Sequence, residues 1–138
     1  MTEPSIVSKW RGWAPQLLSV FRIVAGFLFI QFGTMKWFGF PVALPPGVPH
    51  AFLSLMWFAG LLEVVGGACI LLGLFTRPVA FILAGEMAIA YFKGHFLTGG
   101  FWPVVNMGSP AILLCFFYLY LSAAGPGPWS IDAKRGRP

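Results

Sequence analysis

The sequence has few charged residues, and this scarcity excludes most classes of soluble protein. Only 9% of its residues are Asp, Glu, Lys or Arg, whereas 58% are hydrophobic and the mean hydropathy is +0.81. A typical soluble domain has about 25% charged residues. Such high hydrophobicity also excludes intrinsic disorder, which requires the opposite composition. The sequence therefore predicts an integral membrane protein whose principal partner is the lipid bilayer.

Acidic residues and cysteines are scarce as well. Asp132 is the only aspartate, and the two cysteines, Cys69 and Cys115, lie in apolar runs without a CxxC pair. We therefore expect no metal site and no disulfide framework, and we interpret both cysteines as packing residues rather than a redox couple. The net charge of +5 comes mainly from basic residues near the chain ends. This distribution favours membrane flanks over a nucleic-acid partner.

The apolar residues are concentrated in long runs that proline and glycine clusters separate. A membrane-spanning helix needs about 20 mostly apolar residues. The first run exceeds the apolar core of a cleaved signal peptide, so we expect it to stay in the protein. We predict an all-α transmembrane four-helix bundle that forms a single domain, residues 1–138. Its spans lie at about residues 15–38, 51–74, 78–96 and 106–124, and a cytoplasmic tail follows at residues 125–138.

The basic residues predict how this bundle is oriented. Segments rich in Lys and Arg stay on the cytoplasmic side of a membrane. With an even number of spans, both termini and the second connection share one side, and only Lys36 and Lys93 belong to the other. We therefore predict a multi-pass inner-membrane protein with both termini in the cytoplasm. The basic residues on that side are Lys9, Arg11, Arg77, Lys134, Arg135 and Arg137.

Three charged residues lie well inside the predicted spans, where charges are costly. Arg22, Glu63 and Glu86 belong to the first, second and third spans. At about 1.5 Å per residue they lie about 10–16 Å from the cytoplasmic end, so they share one layer. Charged side chains in a membrane usually turn inward and pair with one another. We therefore predict a buried polar pocket in which Arg22 bridges the two glutamates.

This charged layer has two interpretations. In the structural one, Arg22 neutralises both glutamates and fixes how the helices pack. In the functional one, the two carboxylates leave a surplus negative charge unless Lys36 or Lys93 reaches in, or one glutamate holds a proton. The layer is then a proton-carrying or ligand-binding site. The residues alone leave both interpretations open, and they assign no catalytic residue.

A second polar set is predicted near the outer ends of the spans. Lys and His donors at the interface suit the carbonyl groups of a quinone, or of another ligand with an apolar body and a polar head. Haem ligation by the two histidines is not expected, because both lie near span ends beside proline or glycine. The candidate ligand contacts are Lys36, His50, Lys93, His95 and Asn106.

Short motifs along almost the whole chain resemble those of one family of small membrane proteins. The first span contains LLSVFRIVAG and ends in GTMK, and the second contains AGLLEVVGG. GLFTRP, GEM and GPGPWSID follow. In this order and spacing, from Leu17 to Asp132, they resemble the DoxX family. The resemblance implies a four-helix membrane fold, and it matches the family's polar positions to Arg22, Lys36, Glu63, Arg77 and Glu86.

The DoxX family takes its name from subunits associated with an archaeal membrane thiosulfate:quinone oxidoreductase. The resemblance therefore implies a membrane subunit or quinone-interacting component of a redox system, linked to thiosulfate or to oxidative stress, with a soluble or membrane redox partner. The alternatives are a small proton-coupled transporter and a membrane anchor for a soluble enzyme, and a homo-oligomer is compatible with each of them.

One motif departs from the family pattern. Many relatives begin helix 4 with an Asn-Gly-Gly-Glu-like sequence, whereas this chain has Asn106-Met107-Gly108-Ser109. Ser109 stands at the acidic position. A mechanism that needs a third carboxylate there does not apply to this chain.

Overall fold

The computed structural model describes residues 5–48 and 51–137, and these residues form helices and connections without a β-strand. Three helices are long and apolar enough to cross a membrane, and a fourth apolar helix is shorter. This confirms the all-helical prediction with three to four spanning helices, whereas the cytoplasmic position of both termini stays a prediction. The helices are α1 (Ile6–Phe38), α2 (Leu55–Leu72), α3 (Thr76–Gly99), α4 (Ser109–Ala124) and the short α5 (Ile131–Lys134).

Several helix ends differ from the ends of the predicted spans. Helix α1 begins at Ile6 rather than near residue 15, because Ser5 caps it and the helix continues through Pro15. Helix α4 begins at Ser109 rather than near residue 106, with Pro110 in its first turn, where proline is well tolerated. At about 1.5 Å per residue, α4 is about 24 Å long and falls short of a bilayer core of about 30 Å.

Helices α2 and α3 each contain a wider, π-helical segment. The segment in α2 is Leu62–Gly66, and the one in α3 is Ala90–Phe96. Such segments interrupt the regular hydrogen-bond ladder and frequently occur at functional sites. The first segment includes Glu63, which is 3% exposed. The irregular backbone therefore lies where α2 turns a carboxylate into the bundle.

Glycines bring α1 and α2 into backbone contact. A Cβ atom placed on Gly26 would lie 2.5 Å from the Leu71 nitrogen, and one placed on Gly33 would lie 2.8 Å from the Gly60 oxygen. Neither distance is sterically allowed, so only glycine permits this approach. Small residues at helix–helix contacts are typical of membrane bundles, in which close packing replaces the hydrophobic effect.

Helix α4 closes the bundle against α3 and α1. The Phe29 ring of α1 meets the Tyr118 ring of α4 edge to face at 5.1 Å, and both side chains are fully buried. Phe21 and Phe117 make a second contact between the same two helices at 4.1 Å. The apolar core around these rings comes mainly from α3 and α4 and includes Leu83, Ala84, Met87, Ala111 and Leu121.

The residues after α4 fold back onto the bundle. The Trp129 N–H donates to the Ser19 hydroxyl at 3.2 Å, and the Asp132 N–H donates to the Gly73 carbonyl at 2.9 Å. We call residues 126–132 the tail clasp, and we call the end of the bundle that they cover the tail end. The opposite end, with the connecting residues 39–48, 51–54 and 100–108, is the loop end. The sequence predicts only a helix stop followed by a tail here.

Candidate functional site

Arg22 is fully buried at the tail end, where its guanidinium binds four backbone carbonyls. Its Nη1 donates to Ile70 O at 2.5 Å and to Leu71 O at 2.6 Å, near the end of α2. Its Nε donates to Pro126 O at 2.8 Å, and its Nη2 donates to Trp129 O at 2.5 Å, both in the tail clasp. Arg22 therefore ties α1 to the end of α2 and to the tail.

The prediction that Arg22 bridges Glu63 and Glu86 is wrong, because all its hydrogen bonds go to these carbonyls. The last carbonyls of a helix lack intrahelical partners and carry partial negative charge, so they attract a cation. Asp132 also lies close enough to interact electrostatically with the guanidinium. Arg22 thus belongs to a structural contact, separate from the two glutamates.

Asp132 caps the start of α3 from the tail clasp. Its carboxylate accepts hydrogen bonds from the N–H groups of Phe75 at 3.0 Å and Thr76 at 2.8 Å. Burial alone raises the pKa of this carboxyl group, but these hydrogen bonds and the nearby Arg135 guanidinium outweigh burial and hold the pKa below its ordinary value. The ionised form of Asp132 is therefore part of the folded tail end.

This capping predicts a pH-dependent stability. Because the folded pKa lies below the unfolded one, ionised Asp132 stabilises the fold above pH of about 4. The contribution is lost as the pH falls from there through the lower folded pKa. We expect the melting temperature of the detergent-solubilised protein to fall more steeply between about pH 5 and 3 than that of Asp132→Asn, which does not titrate and whose single amide oxygen can accept one of the two bonds. Parallel melting curves for both proteins would refute the assignment.

The buried charges at mid-membrane are arranged around Lys36. Its Nζ donates to both oxygens of Glu63, at 2.6 Å to Oε1 and 2.5 Å to Oε2. The Lys36 side chain is 15% exposed and the Glu63 side chain is 4% exposed. The sequence predicts Lys36 among the outer ligand contacts, but its long side chain reaches inward and neutralises Glu63. The structure therefore has the arrangement in which Lys36 reaches into the layer of buried charges.

Glu86 and Tyr118 face this ion pair from α3 and α4. The Glu86 carboxyl group interacts electrostatically with Glu63 and Lys36, and the Tyr118 hydroxyl interacts with both glutamates. Both oxygens of Glu86 and the hydroxyl of Tyr118 are buried, and none has a hydrogen-bond partner among the described residues. Lys36, Glu63, Glu86 and Tyr118 form what we call the polar cluster, to which each of α1–α4 contributes one residue.

The polar cluster lies near the middle of the bundle. Glu63 is about 12 Å along α2 from its first residue, Glu86 about 15 Å along α3, and Tyr118 about 14 Å along α4. Unpartnered polar atoms are rare in protein interiors because each costs free energy. Two such groups, Glu86 and Tyr118, lie beside the Lys36–Glu63 ion pair.

A cleft of about 240 Å³ opens beside the polar cluster at the loop end, and Lys36, Trp37, Phe38 and Trp57 line it. The rings of Trp37 and Trp57 stack with centroids 5.5 Å apart, and Trp37 Nε1 donates to Trp57 O at 3.1 Å. The volume is slightly below that of a typical ligand pocket, about 300–1,000 Å³, so the cleft suits a single ring or headgroup. Lys36 alone belongs to both the cleft and the polar cluster, and it connects them.

The other outer candidates do not converge on this cleft. Asn106 is buried and organises its own loop, since its amide donates to Gly100 O at 2.7 Å and its side-chain oxygen accepts from the Gly108 N–H at 2.8 Å. His95 Nδ1 lies 2.9 Å from Asn106 O. Lys93 is exposed. His50 lies outside the described residues. Among the predicted ligand contacts that are described, the structure joins only Lys36 to the buried glutamates.

Sequence reasoning missed Tyr118. A tyrosine inside an apolar run is ordinarily interpreted as a core or lipid-facing residue. The only sequence signal for a polar role is a hydroxyl group far from both helix ends.

The cysteines Cys69 and Cys115 are half-buried, and neither forms a disulfide. Within residues 5–48 and 51–137, no group of three or more His, Cys, Asp or Glu side chains comes together that could hold a metal ion.

Comparison with known proteins establishes the family. Residues 17–96 match the DoxX family model. The chain belongs to the DoxX family. The match covers α2, most of α1 and most of α3, and it includes three members of the polar cluster. No solved structure matches the chain.

Curated relatives of this DoxX protein span most of its length. A Haemophilus influenzae protein named "Uncharacterized protein" is 39% identical over 88% of this chain and 92% of its own. An Escherichia coli protein named "Inner membrane protein YphA" is 30% identical over 87% of this chain and 91% of its own. A Mycobacterium tuberculosis protein named as an uncharacterized membrane protein is 29% identical over 87% and 82%, respectively. Together with the apolar helices, these matches confirm the prediction of a multi-pass inner-membrane protein.

The structure gives the motifs of this DoxX protein a common role at the tail end. Arg22 of the first motif and Asp132 of the last are joined through the tail clasp. Arg77, in the motif between them, donates hydrogen bonds from Nη1 to Ser122 O at 3.2 Å and to Ala123 O, at the end of α4. Most of the motif residues at this end therefore serve the fold.

Proposed function

We propose that this DoxX protein is the membrane component of a redox system and binds the ring of a quinone or quinol in the tryptophan-lined cleft. The proposal is supported chiefly by one observation. The Glu86 carboxyl and the Tyr118 hydroxyl are buried without partners among the described residues, beside the only lysine that also reaches the cleft.

The residues present fit such a ring. Trp37 and Trp57 offer flat apolar surfaces, and Lys36 offers an N–H donor to a ring oxygen. When bound, a quinone supplies two-electron, two-proton redox chemistry. The protein's own residues hold the ring, exclude water around the buried carboxyl groups and hydrogen-bond its oxygens. Glu63 and Glu86 are the carboxyl groups of the polar cluster, and a carboxyl group can take up or release a proton.

Variants of the unpartnered groups test this proposal. Tyr118→Phe and Glu86→Gln remove a hydroxyl and a titrating group that make no described hydrogen bond, so the melting temperature in detergent should stay within about 2 °C of the parent or rise. Binding of decylubiquinone, followed by quenching of tryptophan fluorescence, should nevertheless weaken about tenfold. Growth under oxidative or sulfur stress, in a strain that lacks the protein, should no longer be restored.

Controls separate the cleft from other tryptophans. Trp57→Phe should reduce the quenching amplitude, whereas Trp13→Phe, at the far end of α1, should leave the apparent affinity unchanged. If Tyr118→Phe, Glu86→Gln and Lys36→Met all fold, bind the quinone and restore growth as the parent does, the redox proposal fails. The protein is then better explained as a membrane anchor for a soluble enzyme, which should co-purify with it.

A small proton-coupled transporter is a second candidate, and the two ends of the bundle favour it. The cleft at the loop end shares Lys36 with the polar cluster, while Arg22 and the tail clasp close the tail end. A charged mid-membrane site with access from one side is the arrangement that alternating access requires. Solute uptake into proteoliposomes that responds to a pH gradient, without an effect of quinol, would favour this function over the first.

A further inference from the structure

The first turns of α1 lie outside the bundle. Residues 6–18, which we call the N-terminal stretch, contain no buried residue, and Ser19 is the first buried position of the helix. As a whole, α1 is about 50 Å long, which exceeds the hydrocarbon core of about 30 Å by about 20 Å. The N-terminal stretch therefore crosses from the acyl chains into the headgroup layer at the tail end.

This stretch carries an apolar stripe. Ile6, Trp10, Trp13 and Leu17 recur at helical spacing, so they share one face, and their exposed fractions are 75%, 68%, 58% and 53%. Together with Lys9 they line a groove of about 270 Å³. No described residue covers it. Tryptophan prefers the membrane–water interface, where its ring is apolar and its N–H is hydrated.

The charge beside this groove has one sign. Lys9 lines the groove, whereas Arg11 lies about 200° away around the helix and is not among the lining residues. The sequence contains no acidic residue between Ser5 and Leu62. A groove with an apolar floor and a lysine at its edge complements a molecule with acyl chains and a negative headgroup.

We propose that this groove binds an anionic phospholipid, with the headgroup phosphate on Lys9 and the acyl chains against Trp10, Trp13 and Leu17. A basic residue near the surface of an anionic membrane contributes enough to change affinity about fivefold. A diffuse attraction would involve Lys9 and Arg11 equally, because both are exposed and carry the same charge. At a specific binding site in the groove, the affinity for the lipid depends on Lys9 and not on Arg11.

Native mass spectrometry of the detergent-solubilised protein tests this, because it resolves each bound lipid and the oligomeric state. Phosphatidylglycerol should bind at least fivefold more tightly than phosphatidylcholine of the same chain length. Lys9→Gln should abolish most of this preference, and Arg11→Gln, the matched control, should change it less than twofold. Neither variant should alter the melting temperature, since neither side chain contacts the bundle.

Four outcomes would overturn the proposal. Equal losses of the preference for phosphatidylglycerol in Lys9→Gln and Arg11→Gln would indicate diffuse electrostatic attraction. Equal binding of both lipids would show that only the apolar stripe matters. Displacement of phosphatidylglycerol by millimolar inorganic phosphate would make free phosphate the ligand. A dimer that excludes lipid, and that Trp10→Ala dissolves, would make a second copy of the chain the occupant.

Discussion

Replacing Arg22 by alanine is expected to leave little folded protein at temperatures at which the parent is stable. The change removes the donor for four carbonyl groups at once, two of them buried and two half-buried, and separates the tail clasp from α1 and α2. Removing one side of a buried, charged contact costs about 3–5 kcal/mol, which is a large part of the stability of a small domain. The melting temperature in detergent, followed by circular dichroism, should fall by more than about 10 °C.

Arg11→Ala is the matched control. Because Arg11 is exposed, this variant should have the melting temperature of the parent. A second comparison tests whether Arg22 is separate from the polar cluster. Because Arg22 does not contact Glu86, the losses from Arg22→Ala and Glu86→Gln should add within about 0.5 kcal/mol. An Arg22→Ala protein as stable as the parent, or a clear coupling with Glu86, would contradict the structure at this point.

Replacing Lys36 by methionine should have the second-largest effect on stability. Methionine preserves the apolar stem but leaves the Glu63 carboxylate buried without its cation, close to Glu86. We expect a loss of about 3–5 kcal/mol, measured as a lower melting temperature in detergent. The double variant Lys36→Met with Glu63→Gln should recover much of this loss, because replacing both partners of a buried pair by neutral groups is often nearly neutral.

Lys93→Met is the control for the Lys36 variant. Lys93 is exposed near the loop end, so its replacement should leave the melting temperature unchanged. If Lys36→Met and Glu63→Gln destabilise the protein independently, the two residues are not paired in the membrane. In that case the polar cluster would need a different partner for Glu63, and the proposed link between cleft and cluster would be lost.

The helices could be predicted because their signal is strong and local. Long apolar runs between proline and glycine clusters predict spanning helices without knowledge of any contact. The helix ends differ from the predicted spans where a local rule has a tertiary exception. Pro15 lies inside α1, and the chain before it is too polar to be counted as a span, although its residues continue the same helix.

The pairing of the charges could not be predicted from depth alone. Counting residues places Arg22, Glu63 and Glu86 in one layer, but it ignores two features. Backbone carbonyls at a helix end compete for a guanidinium and leave no mark in the sequence pattern. The four-carbon stem of Lys36 also spans more than one helical turn, so the charge lies deeper than the residue. The sequence identifies which residues turn inward, and the structure determines which of them meet.

The tail clasp has a consequence for the order of assembly. It consists of residues that follow every spanning helix in the chain, yet it supplies partners to Arg22 in the first helix and to the start of the third. Spanning helices insert individually before they associate. During that interval the Arg22 guanidinium has only the Ile70 and Leu71 carbonyls of α2 as acceptors, and the N–H groups of Phe75 and Thr76 lack the Asp132 carboxylate. The newly inserted bundle is therefore least stable at its tail end, and an early product that lacks the clasp presents a partly paired buried arginine to the membrane's quality-control proteases.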